Sequence, residues 1–150
     1  MNDSKNSMTE AYFIIPGKVQ AKQRPKVYRN KYSGKIHGTT PAATRDYESR
    51  VKECYLADYP PLMFSGAVEI VLNVYLQIPK STPKKKRDQM LLGYIRPIAR
   101  NGDVDNYLKS ISDGLNGVAY FDDCQIVQAI VNKWYSEEPK AEVVIREVRK

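Results

Sequence analysis

The sequence predicts an α+β domain, a small mixed β-sheet with two main helices packed on one side of it. Three observations carry that prediction. Residues 67–78 (AVEIVLNVYLQI) place Val68, Ile70, Leu72, Val74 and Leu76 at every second position, the period of a strand with a buried face. Residues 104–115 place Val104, Leu108, Ile111 and Leu115 at spacings of four, three and four, the stripe of an amphipathic helix. Residues 124–135 and 141–148 then return to strand-like patterns, so strands flank the helices on both sides in the chain.

The remaining elements follow in order. Residues 1–10 are polar and read as a disordered tail, leaving 11–150 as one domain large enough for a core. Ala11–Ile15 is a short strand running into Pro16-Gly17. Val27–Tyr32 reads as a second strand, with Ser33-Gly34 as a hairpin turn and with Tyr28 and Tyr32 packed inward. Thr40-Pro41 opens a helix that runs to about Asp58, with Tyr47, Val51, Cys54 and Tyr55 as its inner face. That helix is mainly structural, because Glu48 and Glu53 dilute the basic row of Arg45 and Lys52. In the strand at 67–78, Val71 and Tyr75 lie opposite the main apolar face, which places it centrally in the sheet. Pro79–Arg87 holds two prolines and five basic residues and reads as a solvated loop, with Asp88–Ile95 as a short helix or irregular lead-in. Asn116-Gly117 ends the amphipathic helix with a pair that tolerates the left-handed conformation. Cys124–Tyr135 is a strand with Ile126 and Ile130 among its inner candidates. Ala141–Val148 closes the sheet, and Val127–Val131 and Val143–Ile145 are expected to pair as neighbours.

Composition narrows the chemistry. Net charge is +7 and unevenly placed: Ala11 to Arg45 carries eight Lys/Arg and no acid, and Ile70 to Gly102 carries seven Lys/Arg with Asp88 alone against them. Such segregation suits a polyanion partner more than it serves solubility. Cys54 and Cys124 make neither a metal spacing nor a disulfide framework, which points to a reduced cytoplasmic compartment. His37 is the single histidine, so neither a zinc cluster nor a Ser-His-Asp triad can be assembled. There is no apolar signal region and no membrane-spanning run.

The acids gather in Gly102–Val127, which holds five aspartates and Lys109. Asp103 and Asp105 open the helix, and Asp105, Lys109 and Asp113 stack four apart on one face. Asp122 and Asp123 stand at the head of the next strand. Each piece has a plain structural use, since Asp caps helices and solvates turns. Crowded carboxylates repel one another unless a cation sits among them, and a hard ion such as Mg²⁺ takes carboxylate, water and phosphate oxygens. Around them, Lys22, Arg24, Lys26 and Arg29 in the N-terminal basic segment are read as DNA contacts. Lys84, Lys85, Lys86 and Arg87 read as a phosphate clamp, with Arg96 and Arg100 available for backbone phosphates.

Asp103-Val104-Asp105-Asn106-Tyr107-Leu108-Lys109, then Asp113-Gly114-Leu115, then Asp122-Asp123-Cys124-Gln125-Ile126 closely resembles the RusA family of Holliday-junction resolvases, small endonucleases of bacteria and their phages. The family pattern is D-x-D-N-x-x-K, D-x-L, a short connector, and D-D-x-x-[IV]. Lys22-Gln23-Arg24-Pro25-Lys26 resembles the family's N-terminal basic-Arg-Pro-basic motif, and Lys133 looks like a basic residue that recurs near the end of the following strand. The resemblance is dense over 102–127 and looser over roughly 12–148. It implies a homodimer of bacterial or prophage origin that resolves four-way DNA junctions in recombination and repair. It implies Mg²⁺, with Mn²⁺ as a substitute, and no small-molecule cofactor. Asp103, Asp105 and Asp123 would hold the metal directly or through waters, with Asp122 as an outside candidate. Lys109 would stabilise charge on phosphorus or on the leaving oxygen, and Asp113 would orient Lys109. Two other readings stay open: a catalytically silent branched-DNA-binding module, and a nuclease for flaps or other branches.

Overall fold

In the computed structural model, residues 9–23, 26–59, 62–98 and 102–148 are described. Four strands form the main sheet in the order β1-β6-β4-β5: β1 (Glu10–Pro16), β4 (Val68–Gln77), β5 (Ile126–Ser136) and β6 (Lys140–Glu147). The sheet is mixed, as expected. β6 runs antiparallel to both β1 and β4, whereas β5 runs parallel to β4. A parallel pair needs a long crossover. Here it contains two helices, α2 (Lys84–Leu91) and α3 (Val104–Leu115). α1 (Ala42–Asp58) precedes β4, and a two-stranded ribbon, β2 (Lys26–Arg29) with β3 (Ile36–Thr39), forms a separate sheet.

The alternation in β4 does what its spacing predicts. Val68, Ile70, Leu72 and Val74 are all fully buried, against Phe13 and Ile15 of β1 and Val143 and Ile145 of β6. α1 and α3 pack over this layer and touch each other. α1 contributes Tyr47, Val51 and Tyr55 at four-residue spacing, and Tyr55 meets Phe13 edge-on at 5.4 Å. Gly114 lets the helices approach closely: a Cβ there would lie 2.8 Å from the Val51 Cβ and 3.1 Å from the Glu48 carbonyl oxygen. Lys52 Nζ donates to the Gly114 carbonyl at 2.8 Å across the same contact. The chain after α2 meets Tyr75 and Trp134, which sit opposite the main core face. No helix among the described residues is long and apolar enough to cross a membrane.

Several expectations are corrected. β5 and β6 are not neighbours, because β4 lies between them. The turn between Ser136 and Lys140 steps over the end of β4, where the Ile78 amide donates to the Ser136 carbonyl. Two strand spacings are about 9.6 Å, which four extended residues span easily. The basic stretch is not a loop through Arg87, since α2 begins at Lys84 directly after Pro83. Lysine and arginine are good helix formers, and a proline before the first turn removes no helical hydrogen bond. Val104 is 43% exposed and Ile130 45% exposed, so neither is core. Tyr107 takes the inward place on α3 that the stripe assigned to Val104. Tyr32 is fully exposed rather than packed inward.

Candidate active site

Two local structures bring the acidic residues together. The first is the start of α3. Asp103 occupies the N-cap with extended backbone, its carboxylate makes no capping hydrogen bond, and Asp105 lies in the first turn. The approach to Asp103 is tightly fixed. Gly102 fits where a Cβ would lie 2.6 Å from Ala21 and 2.8 Å from the Tyr107 ring. Its amide donates to the Tyr107 hydroxyl at 2.9 Å and its carbonyl accepts from Lys133 Nζ at 3.3 Å. The segment carrying Lys22 is tied to the same helix, through the Lys22 amide to the Asn106 carbonyl and Ser110 Oγ to the Gln20 carbonyl.

The second is a single 3-10 turn, Asp123–Gln125, reached after Gly117 takes a positive φ of 80°. Asp122 caps this turn. Its carboxylate accepts from the Cys124 amide at 3.1 Å, and Gln125 Oε1 accepts in return from the Asp122 amide at 3.2 Å. The Gln125 side-chain amide then donates to the carbonyls of Phe64 and Gly66. This reciprocal cap occupies Asp122 and leaves Asp123 facing α3. Hydrogen bonding around Cys124 holds the Asp122 carboxyl below its ordinary range.

Between the two lies a row of alternating charges. Lys109 Nζ sits 3.0 Å from Asp113, the i,i+4 contact its spacing predicts, and 3.1 Å from Asp123. Lys22 Nζ sits 3.1 Å from Asp113 and 2.9 Å from Glu48. Hydrogen bonds to Asp113 and then Asp123 raise the pKa of Lys109 above its ordinary value, outweighing desolvation. For Lys22 desolvation is the largest influence and lowers its pKa, but Glu48 and Asp113 together carry it above the ordinary value. Both lysines are therefore cationic at neutral pH. Asp105, Lys109 and Asp123 face a pocket of about 400 Å³ floored by Ile126, Val127 and Ala129 of β5.

Asp103 does not line that pocket. Among the described residues no group of three His, Cys, Asp or Glu side chains is set to hold a metal ion. Two carboxylates on an open pocket nevertheless fit Mg²⁺, which keeps several waters and takes one or two carboxylates plus substrate phosphate.

The other residues read as DNA contacts divide into four groups. Arg29, Lys84, Lys85 and Lys86 are exposed. Lys22 and Arg87 are paired with carboxylates, Arg87 with Glu137 at 3.0 and 3.1 Å. Arg24 and Arg100 lie outside the described residues, as does the side chain of Lys26. Arg96 lies 3.4 Å over the Trp134 ring and donates to the Lys133 carbonyl, so it is held against β5. The sequence reading missed Glu48 and Gln125. Gln125 had a signal, the Asp-x-x-Gln spacing of a capping box. Glu48 had none, because its partner is 26 residues away.

Residues 16–146 match the family described as endodeoxyribonuclease RusA. A protein of Bacillus subtilis (strain 168), described as uncharacterized protein YqaN, is 39% identical over 139 residues, covering 91% of this chain and 95% of that protein. The family match spans both halves of the acidic site and the basic segment bound to it, and the chain belongs to the RusA endodeoxyribonuclease family.

Proposed function

We propose that the protein is a Mg²⁺-dependent endodeoxyribonuclease that resolves four-way DNA junctions by paired phosphodiester hydrolysis, acting as a homodimer in the cytoplasm. Mn²⁺ would serve in place of Mg²⁺. The observation that carries this reading is the meeting of Asp105 and Asp123 across one open pocket, with Lys109 beside them. Asp105 and Asp123 would hold the metal, and Asp103, at the start of the same helix, would join them through a water. The bound ion would supply an activated water and a steadied leaving oxygen. Lys109, kept cationic by its two carboxylates, would stabilise charge building on the phosphorus. Asp113 positions Lys109, and Asp122 serves as the cap that aims Asp123.

Exposed Arg29 and Lys84–Lys86, with Arg24, Lys26 and Arg100, would grip phosphates. For Lys22 and Arg87 such contact means exchanging a carboxylate for a phosphate. The dimer is supported by β5, an edge strand of 11 residues on which Val127 and Ile130 expose apolar surface beside the pocket. A second copy docked there would cover that edge. A two-fold pair of sites also matches the near-two-fold symmetry of a four-way junction.

The test is incubation with a synthetic four-way junction, a flap and a linear duplex, each with and without Mg²⁺. Symmetric paired nicks in the junction only when Mg²⁺ is present are expected. Preference for the flap would move the substrate to other branches, and binding without cutting would leave a silent binding module. Asp105→Asn should abolish cutting while junction binding is kept or tightened, because it removes a ligand and a charge that repels phosphate. Retained cutting would reject Asp105 as a ligand.

A further inference from the structure

The ribbon of β2 and β3 stands apart from the main sheet, and its tip is a built turn. Asn30 Oδ1 accepts from the amides of Tyr32 at 2.8 Å and Ser33 at 3.1 Å, while the Gly34 amide donates to the Asn30 carbonyl at 2.9 Å. The Asn30 amide closes the loop on the Lys35 carbonyl at 2.8 Å, and Gly34 supplies the positive φ of 71° that the path requires. This is an Asx-type turn in which the amides of Tyr32, Ser33 and Gly34 are all bonded back to Asn30. What it projects is Tyr32, which is 100% exposed. Arg29, Lys31 and Lys35 lie within three residues of it in the chain and are exposed as well, and Val27 and Ile36 on the two strands are 67% and 66% exposed. No acid occurs between Ala11 and Arg45. A cationic ribbon with an unpacked ring at its tip matches what nucleic acid offers: phosphates for the cations and a base face for the ring. Intact duplex hides its base faces in the stack. Branch points do not.

We propose that Tyr32 stacks on a base face opened at the branch point of DNA while Arg29, Lys31 and Lys35 hold the flanking phosphates. The proposal rests on the branched-DNA reading above and adds the part that tells a branch from an intact helix. It requires neither the metal nor the acidic pocket.

The experiment uses the full chain, without Mg²⁺, and two probes, a four-way junction carrying 2-aminopurine at the exchange point and a linear duplex carrying it at an internal position. Wild type should quench the junction probe on binding and leave the duplex probe unchanged. Tyr32→Ala should lose the quenching and weaken junction binding about tenfold, near the low end of what stacking one base on a ring is worth. Tyr32→Phe should retain both, and the salt dependence of binding should be the same for all three, since no cation is removed. Quenching that survives in Tyr32→Ala overturns the proposal, as does equal weakening on junction and duplex. Because Tyr32 packs against nothing, circular dichroism of the variant should match wild type. Asp105→Asn should quench like wild type, so failure of the nuclease reading and failure of the stacking arm give different results.

Discussion

Asp122 and Asp123 are adjacent and chemically identical, yet the chain gives them different work. One closes the capping box with Gln125, and the other meets Lys109. That Asp105, Lys109 and Asp113 share one face of α3, with Asp123 brought up to them, was legible from their spacing. The division between the pair was less legible, although the Asp-x-x-Gln spacing contained it. Glu48 shows the opposite case. Its neighbours on α1 suggest that it dilutes a basic row, whereas it anchors Lys22, and no local pattern could reveal a partner brought in by tertiary packing. At this scale the expected outcome is specific. Lys109→Ala should lower kcat by roughly 10²- to 10³-fold, the usual cost of losing one group that stabilises transition-state charge. Junction affinity measured without Mg²⁺ should change little. A defect confined to affinity would move Lys109 from chemistry to binding.

Elements carry their own consequences. α2 begins with three exposed lysines and no acid in its first turn, which sets cations against the positive end of the helix dipole. The triple substitution Lys84→Ala, Lys85→Ala and Lys86→Ala should therefore leave the fold as stable or slightly more so. It should also weaken junction binding and reduce the slope of log affinity against log salt by up to about three units, near 0.9 for each phosphate that is no longer neutralised. An unchanged slope would show that α2 does not touch DNA. The α1–α3 contact makes a different demand. Gly114→Ala forces a Cβ against Val51 and the Glu48 carbonyl and should cost about 1–3 kcal/mol, read as a fall in Tm of several degrees. The period of α3 was legible, but the exact inward residues were not, because its first turn lies at the pocket rim and leaves Val104 in water. Strand order was the least legible feature. Alternation marks a strand without naming its neighbour, and the parallel β4–β5 pairing places β4 where β5 and β6 were expected to meet.

The whole molecule holds its tyrosines in a way that shapes its alkaline limit. Burial pushes Tyr55 up to about 12, and burial with a hydrogen bond to Glu142 pushes Tyr75 up to about 12, both from an ordinary 10.0. A folded-state pKa above the unfolded one means that the unfolded chain has lost protons the native protein still holds, so stability falls as pH rises. The loss should begin near pH 10; the share from Tyr55 and Tyr75 runs to near pH 12, and the more deeply buried Tyr47 and Tyr120, pushed up further, carry it beyond. Ultraviolet titration of tyrosinate beside Tm measured from about pH 9 to about pH 12 checks this; normal titration of every tyrosine near 10 with a flat Tm would contradict it. Fold class was legible at this scale because the strand and helix periods were strong and well separated.

The charges around the pocket have one more consequence. From Glu48 through Lys22, Asp113 and Lys109 to Asp123, three carboxylates alternate with two ammoniums, and Asp105 adds a fourth carboxylate at the mouth. Two negative charges are left over, the amount a single divalent ion would cancel. With one such ion the row would be electroneutral and would not turn an arriving phosphodiester away; with two it would carry a net positive charge and would hold its anionic product.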